Sequence, residues 1–361
     1  MKLSRFDIYH YSLSLSRPLI LKGIALHRRE GLLLRLLGDD GSEGWGESAP
    51  LPGFSTESLD EAAQQLRRLA GSLIDREVTG DWVDGAFGRE MDLFGLGPSV
   101  RFGLELAVCN LHACRSQRSL PEMFTPSART EVPVNGLIPG PPANVLEEAR
   151  RMREAGYQSV KLKVGAQAVA EDAGHVHDLG EELGDNFSLR LDANRAWGYE
   201  SAAEFIRGVA EIPFAYVEEP LADPGRVPEL VHEFGVPVAL DESLVGMEPE
   251  DLEEHRYARA VVLKPTLLGG ISRTLRMAGR ALSLGMTPVV SSAYESGVGT
   301  AALVALAAGI GDRPVPVGLD TYRALAEDVL ETPLGLPAPI VDVGEAVDTS
   351  RRVTVSGLER L

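Results

Sequence analysis

Cysteine is almost missing from this 361-residue chain. Cys109 and Cys114 are the only two, and both fall in one apolar helical stretch. No disulfide framework can hold the fold, so a cytoplasmic protein is the simplest expectation. Long apolar runs are missing too. None approaches the roughly 20 residues needed to span a bilayer. The opening MKLSRFDIYHYSLSLS lacks the uninterrupted apolar core of a signal peptide. Positive charge is scarce, with 35 Lys and Arg against 53 Asp and Glu and a formal charge of −18. Nucleic acid and anionic membrane would both be repelled, and neither is expected as a partner. What remains, 44% apolar and 24% charged, is globular composition.

The scarcest basic residue is lysine. Of the 35 basic residues only Lys2, Lys22, Lys161, Lys163 and Lys264 are Lys, and the other 30 are Arg. Lysine can lose its proton near neutral pH when its surroundings depress its pKa, and arginine cannot. Three of the five stand at the ends of apolar segments, in KLK and VVLKP. Chance retention explains any one of them, so their placement has to decide.

Residues 1–128 read as an α+β unit. FDIYHYSLSL alternates, and GLLLRLLGDDGSEGWGES reads as strand, Gly/Asp turn and return strand. Helical spacing runs from Ser58 to Leu73, with Ser55 or Thr56 as N-cap and a weak capping box between Ser58 and Glu61. Val100–Cys114 is a second apolar helix. APLPGFS is a Pro/Gly-rich loop carrying Phe54 as an exposed aromatic.

From residue 129 the texture changes. Eight short apolar runs alternate with helical stretches: VPVNGLI, SVKLKV, SLRLDAN, AYVEEP, PVALDES, AVVLKP, TPVVSS and PVPVGLD. Continuous apolar runs are the mark of parallel strands covered on both faces. Eight β/α units in series point to a barrel over residues 129–321. A doubly wound sheet is the alternative, but it lacks a Gly-rich fingerprint after its first strand. Residues 322–361 form a tail expected to pack back on the N-terminal unit and to end in a strand, RRVTVSG.

In such a barrel chemistry sits at the C-terminal strand ends. Lys161 and Lys163 end the second run, Asp192 the third, Glu218 and Glu219 the fourth, Asp241 and Glu242 the fifth, and Lys264 the sixth. From Lys163 to Lys264 the steps are 29, 26, 23 and 23 residues, one β/α unit each. One such carboxylate is often just a helix cap or an ion-pair partner. Three on adjacent strands would repel one another without a cation, and all-oxygen ligands suit Mg²⁺ or Mn²⁺. Lys163 and Lys264 each stand two strands from Glu218, on opposite sides. A cation and a second ammonium nearby would depress the Lys163 pKa, making it a candidate general base. Gly297 and Gly299 open a helix whose free N–H groups could hold an anion or merely form a turn. His175 and His177 fall in a helical stretch and read as a solvated face.

KLK, LRLDANRAW, VEEP, ALDES, VVLKPTLLGG and VGLDT, with the GWGESAPLPGFS loop, resemble the enolase superfamily in its muconate-lactonizing subgroup, and within it the o-succinylbenzoate synthase family. The resemblance covers nearly the whole chain. It implies a modified TIM barrel, (β/α)₇β, with an α+β capping domain made from both chain ends. It implies that Asp192, Glu218 and Asp241 bind Mg²⁺, with Mn²⁺ a possible substitute. Lys163 would be the acid/base catalyst and Lys264 its counterpart on the opposite face. Lys161, Arg190, Asn194, Ser291, Ser292 and Gly318 would line the substrate site. The implied reaction is dehydration of a succinyl-bearing cyclohexadiene carboxylate to o-succinylbenzoate, a menaquinone precursor. The substrate is then a small carboxylate. The net negative charge does not forbid it, because exposed charges more than about 10 Å away are largely screened at 0.1 M salt.

Two rivals share these residues. An N-acylamino-acid racemase or dipeptide epimerase would use Lys163 and Lys264 as two opposed bases. A non-catalytic, metal-dependent binding protein would need neither lysine, and both are present.

Overall fold

The structure, a computed structural model, describes residues 1–78, 91–138, 144–184 and 187–361. The N-terminal unit is built on a long hairpin, β1 (Leu3–Leu21) and β2 (Ile24–Gly38), with β3 (Glu43–Ser48) antiparallel to β2. Both faces of this sheet are covered. Ile8, Leu32, Leu34 and Leu36 pack with the helices α1 (Leu59–Leu73) and α2 (Pro98–Ser116). Tyr9, Tyr11, Leu13 and Leu33 point the other way, into the core shared with the barrel. The period-2 alternation of a strand thus divides the LLLRLL run between two cores.

α2 lies directly on the β3 backbone. A Cβ at Gly46 would sit 1.9 Å from the Gly103 carbonyl oxygen, and one at Gly103 would sit 2.8 Å from the backbone of Glu47. Only glycine permits that approach, and it holds Glu47 and α2 in fixed relation. At the start of α1 the N-cap is Ser58, not Ser55 or Thr56. Its side chain accepts from Glu61 N, and the Glu61 side chain reaches back to Ser58 N, completing the capping box.

The barrel follows. β4 (Glu131–Pro133) and β5 (Gly136–Ile138) lead to α3 (Val145–Glu154), β6 (Ser159–Lys163), α4 (Val169–Leu183), β7 (Ser188–Asp192) and α5 (Tyr199–Gly208). Next come β8 (Tyr216–Glu218), α6 (Val227–Phe234), β9 (Val238–Leu240), β10 (Ala260–Leu263) and α7 (Pro265–Leu268). α8 (Ile271–Ser283), β11 (Thr287–Val290) and α9 (Gly297–Gly309) complete it. Strands β5 to β11 form one parallel sheet in sequence order.

Two expectations are corrected. VPVNGLI is not one strand: β4 pairs antiparallel with β12 (Ile340–Asp342), and only β5 joins the barrel. PVPVGLD makes no strand either. Val317 bridges Val134 and Gly318 bridges Ser291, closing the barrel at its eighth position through these two contacts. Pro314 and Pro316 lack the N–H a longer ladder needs.

Residues 322–361 touch both units. α10 (Val343–Ser350) packs on α9, and β13 (Glu359–Arg360) pairs with β1 at Tyr9 and His10. The expected RRVTVSG strand is absent; there only Val353 bridges to Leu330.

Candidate active site

Register fixes the rim. Lys163 pairs with Asp192 and Asp192 with Glu218, while Glu218 pairs with Ala239, two residues before Asp241. Parallel strands in this register put alternate residues on the same inner face. Lys161 and Arg190 pair one layer deeper, and Arg190 pairs with Tyr216. In the sheet order β6 and β10 stand four strands apart in an eight-position ring, so Lys163 and Lys264 come from opposite walls.

The three carboxylates are buried: Asp192 and Glu218 are 2% exposed and Asp241 5%. Each faces an ammonium. Lys161 Nζ lies 3.1 Å from both Asp192 Oδ2 and Glu218 Oε2. Lys264 Nζ lies 2.5 Å from Asp241 Oδ2. Lys163 Nζ donates to Asn194 Oδ1 at 2.5 Å and lies 3.4 Å from Asp192 Oδ2. Lys163 is the most open of the three, with a side chain 37% exposed against 15% for Lys161 and 16% for Lys264.

The electrostatics follow from burial and these contacts. Burial alone would raise the Asp192 pKa, but Lys161, Lys163 and Lys264 hold it well below the usual carboxylate range. Burial pushes Glu218 up to about 7 against the pull of Lys161, with the Asp192 and Asp241 charges adding to the rise. Burial would lower the Lys161 and Lys264 pKa values. The carboxylates more than offset it and raise both, Asp192 and Glu218 acting on Lys161 and Asp241 on Lys264. The carboxylates thus favour the charged form of both lysines.

Among the described residues no three His, Cys, Asp or Glu side chains form a ready-made metal cluster. The donor chemistry still fits a hard divalent ion. All the donors are carboxylate oxygens on neighbouring strands, they are buried, and the lysine ammoniums show that the pocket already demands positive charge.

A cavity opens over this rim. Lys161, Lys163, Asp192, Asn194, Lys264, Ser291, Ser292 and Gly318 all line it. Glu218 and Asp241 lie behind that wall. Arg190 does not reach the cavity: it is inside the barrel, donating Nη1 to the Pro316 carbonyl at 2.8 Å and stacking over Tyr216 at 5.4 Å. Lys161 in the same layer reaches the cavity, whereas the Arg190 guanidinium turns to the Pro316 carbonyl.

Sequence reasoning missed part of the lining. Leu21, Leu51 and Phe54 from the N-terminal unit form an apolar ceiling, with Tyr294 beside them. Lys22 sits over the Phe54 ring at 4.1 Å, so that aromatic is half-covered rather than free. Glu219 was noted only as a neighbour of Glu218. Its Oε1 accepts from Asp241 N and Ser243 N, and its Oε2 from Arg195 Nε and Ser243 Oγ, which fixes the backbone at Asp241. The doubled acid in VEEP was the available signal.

The anion site at Gly297 and Gly299 is overturned. Their N–H groups already belong to the protein's own acids: Gly297 N donates to Asp328 Oδ1 and Gly299 N to Glu47 Oε2. His175 and His177 are half-buried on α4, and His177 Nε2 meets the Gly208 carbonyl.

Residues 144–346 match the family model "Enolase C-terminal domain-like", and residues 3–111 match "MenC, N-terminal domain". An o-succinylbenzoate synthase of Pasteurella multocida is 31% identical over 349 residues, covering 94% of this chain and 95% of its own. That of Haemophilus influenzae is 33% identical over 343 residues, covering 94% and 96%. Among solved structures, a muconate lactonizing enzyme from Pseudomonas fluorescens complexed with muconolactone superposes with a TM-score of 0.82. It is 25% identical and covers 95% of this chain and 93% of its own.

Proposed function

Since the chain belongs to the o-succinylbenzoate synthase family of the enolase superfamily, we propose that it dehydrates 2-succinyl-6-hydroxy-2,4-cyclohexadiene-1-carboxylate to o-succinylbenzoate in menaquinone biosynthesis. The observation that carries this reading is the rim itself, where five consecutive strands carry Lys163, Asp192, Glu218, Asp241 and Lys264 at one end, with Lys163, Asp192 and Lys264 lining the cavity and the other two buried behind it.

Asp192, Glu218 and Asp241 would hold Mg²⁺, or Mn²⁺ in its place, and the ion would supply Lewis acidity toward the substrate carboxylate. The neutral amine of Lys163 removes the proton from the carbon bearing that carboxylate. The electron pair moves into the carboxylate to give an enediolate. The ammonium groups of Lys161 and Lys264, held at the rim by the carboxylates, would stabilise it. The C–O bond to the ring hydroxyl then breaks. Protonated Lys163 returns its proton to the departing oxygen, water leaves, and the ring becomes aromatic. One lysine serves both steps when proton and hydroxyl leave from the same face, a syn elimination. Asn194 Oδ1 steadies the Lys163 ammonium between them. Leu21, Leu51 and Phe54, which line the cavity, would meet the ring and exclude water from above.

Racemisation of an N-acylamino acid on the same frame needs Lys264 to exchange protons with the second face. An ultraviolet assay with the cyclohexadiene substrate, run beside an N-succinylamino-acid racemisation assay, separates the two. Aromatic product at the faster rate supports dehydration. Faster racemisation with no aromatic product rejects it.

A further inference from the structure

The helices after β10 and β11 carry no acidic residue in their first turns, yet both have a buried carboxylate at their N-terminus. In each case it comes from the N-terminal unit. Glu105 on α2 accepts from Ser272 N at 3.0 Å, at the start of α8, and Gly270 leaves the room it needs, since a Cβ there would lie 2.5 Å from Glu105 Oε2. Glu47 on β3 serves α9. Its Oε1 accepts from Ser296 N at 2.8 Å and Tyr11 Oη at 2.5 Å, and its Oε2 from Ser296 Oγ at 2.5 Å and Gly299 N at 2.7 Å. Both carboxylates are fully buried. A helix N-terminus favours an anion, and four donors on one carboxylate leave it a single placement.

The α9 contact does not stop at the helix. Ser296 follows Glu295, a second fully buried acid. Glu295 Oε2 accepts from Ser292 Oγ at 2.8 Å and Ala293 N at 2.7 Å, and its Oε1 from Thr266 Oγ1 at 2.6 Å. Thr266 is two residues after Lys264, and Ser292 lines the cavity. Two sets of hydrogen bonds, joined by the peptide link between Glu295 and Ser296, thus run from the sheet of the N-terminal unit, through Glu47, to both loops that carry the Lys264 side of the site.

We propose that Glu47 is a positioning residue: docked against the barrel, it sets the β10 and β11 loops so that Lys264 and Ser292 face the cavity. The proposal deepens the dehydratase reading and rests on it only for the role of Lys264. A barrel loosened from its cap would keep the Lys163 side of the rim and lose the other. Glu105 anchors α8 in the same manner but makes no bond to Glu295, so it steadies the helix without reaching the loop ends.

The test is amide hydrogen exchange read by mass spectrometry on the full chain, with turnover measured in parallel. Glu47→Gln keeps the shape but sets an NH₂ group against donors. It is expected to speed exchange about tenfold or more in peptides spanning 263–268 and 291–299, leaving 159–163 and 188–194 unchanged. The kcat of the folded variant is expected to fall about tenfold with KM within about twofold. Should that variant not fold, Ser296→Ala keeps Glu47 and removes one donor, and the same peptides are expected to loosen about threefold. Faster exchange confined to 296–299, or spread evenly over the barrel, overturns the coupling. So does a kcat within twofold of the parent protein. The exchange pattern needs no substrate, so it decides the coupling separately from the identity of the reaction.

Discussion

Between β6 and β9 the rim of the barrel arranges its own side chains. Lys161, Lys163, Asp192 and Glu218 are placed by strand register, and the ion pairs among them run between strands one or two apart in the sheet. Between β10 and β11 the arrangement differs. Lys264 and Ser292 sit at the edges of loops held by Glu295, which is tied through Ser296 to Glu47 of the other unit. One half of the site follows from local sequence, and the other is borrowed from a distant part of the chain. Chemistry that needs both halves is therefore sensitive to how the two units dock.

Perturbations should separate the halves. The largest effect is expected from chelation. EDTA should lower turnover by at least about a thousandfold, with Mg²⁺ or Mn²⁺ restoring it; activity indifferent to chelation would remove the carboxylate half from the mechanism. Next comes Asn194→Ala, which takes away the oxygen that accepts from Lys163 and the amide that donates to Glu242 at 3.0 Å. A fall in kcat of about tenfold is expected, measured by steady-state assay, with exchange in 291–299 unchanged because the borrowed half is untouched. The smallest effect is expected from Ser58→Ala. It removes the α1 cap, far from both halves, and should cost about 1 kcal/mol in denaturant unfolding. Its turnover should match the parent protein; a loss would mean that any weakening of the N-terminal unit reaches the site, and the special role of Glu47 would go.

The same division explains what could be read without the structure. The strand-end charges were legible because a parallel strand ends where its apolar run ends, so Asp192, Glu218, Asp241 and Lys264 mark themselves. The α2 stretch and the Ser58–Glu61 box were visible for a similar, local reason. Glu47 and Glu105 were not, because nothing in GWGES or in the apolar helix says which distant helix an acid will meet. Gly297 and Gly299 did carry the correct signal, an anion at the helix start, but the anion proved to be an internal side chain. Arg190 showed the limit of alternation as a guide: period two gives the face and not the partner, and Lys161 in the same layer reaches the cavity while Arg190 turns to the Pro316 carbonyl. PVPVGLD looked like a strand by composition, and its prolines kept it to two bridges.

The central claim is that Lys163 moves the proton. Its most direct test is the turnover of Lys163→Arg with the cyclohexadiene substrate under saturating Mg²⁺, together with circular dichroism and metal titration. Arginine keeps the charge and cannot give up its proton. A native spectrum, unchanged Mg²⁺ affinity and a kcat lower by about a thousandfold or more are expected. Turnover close to that of the parent protein would contradict it.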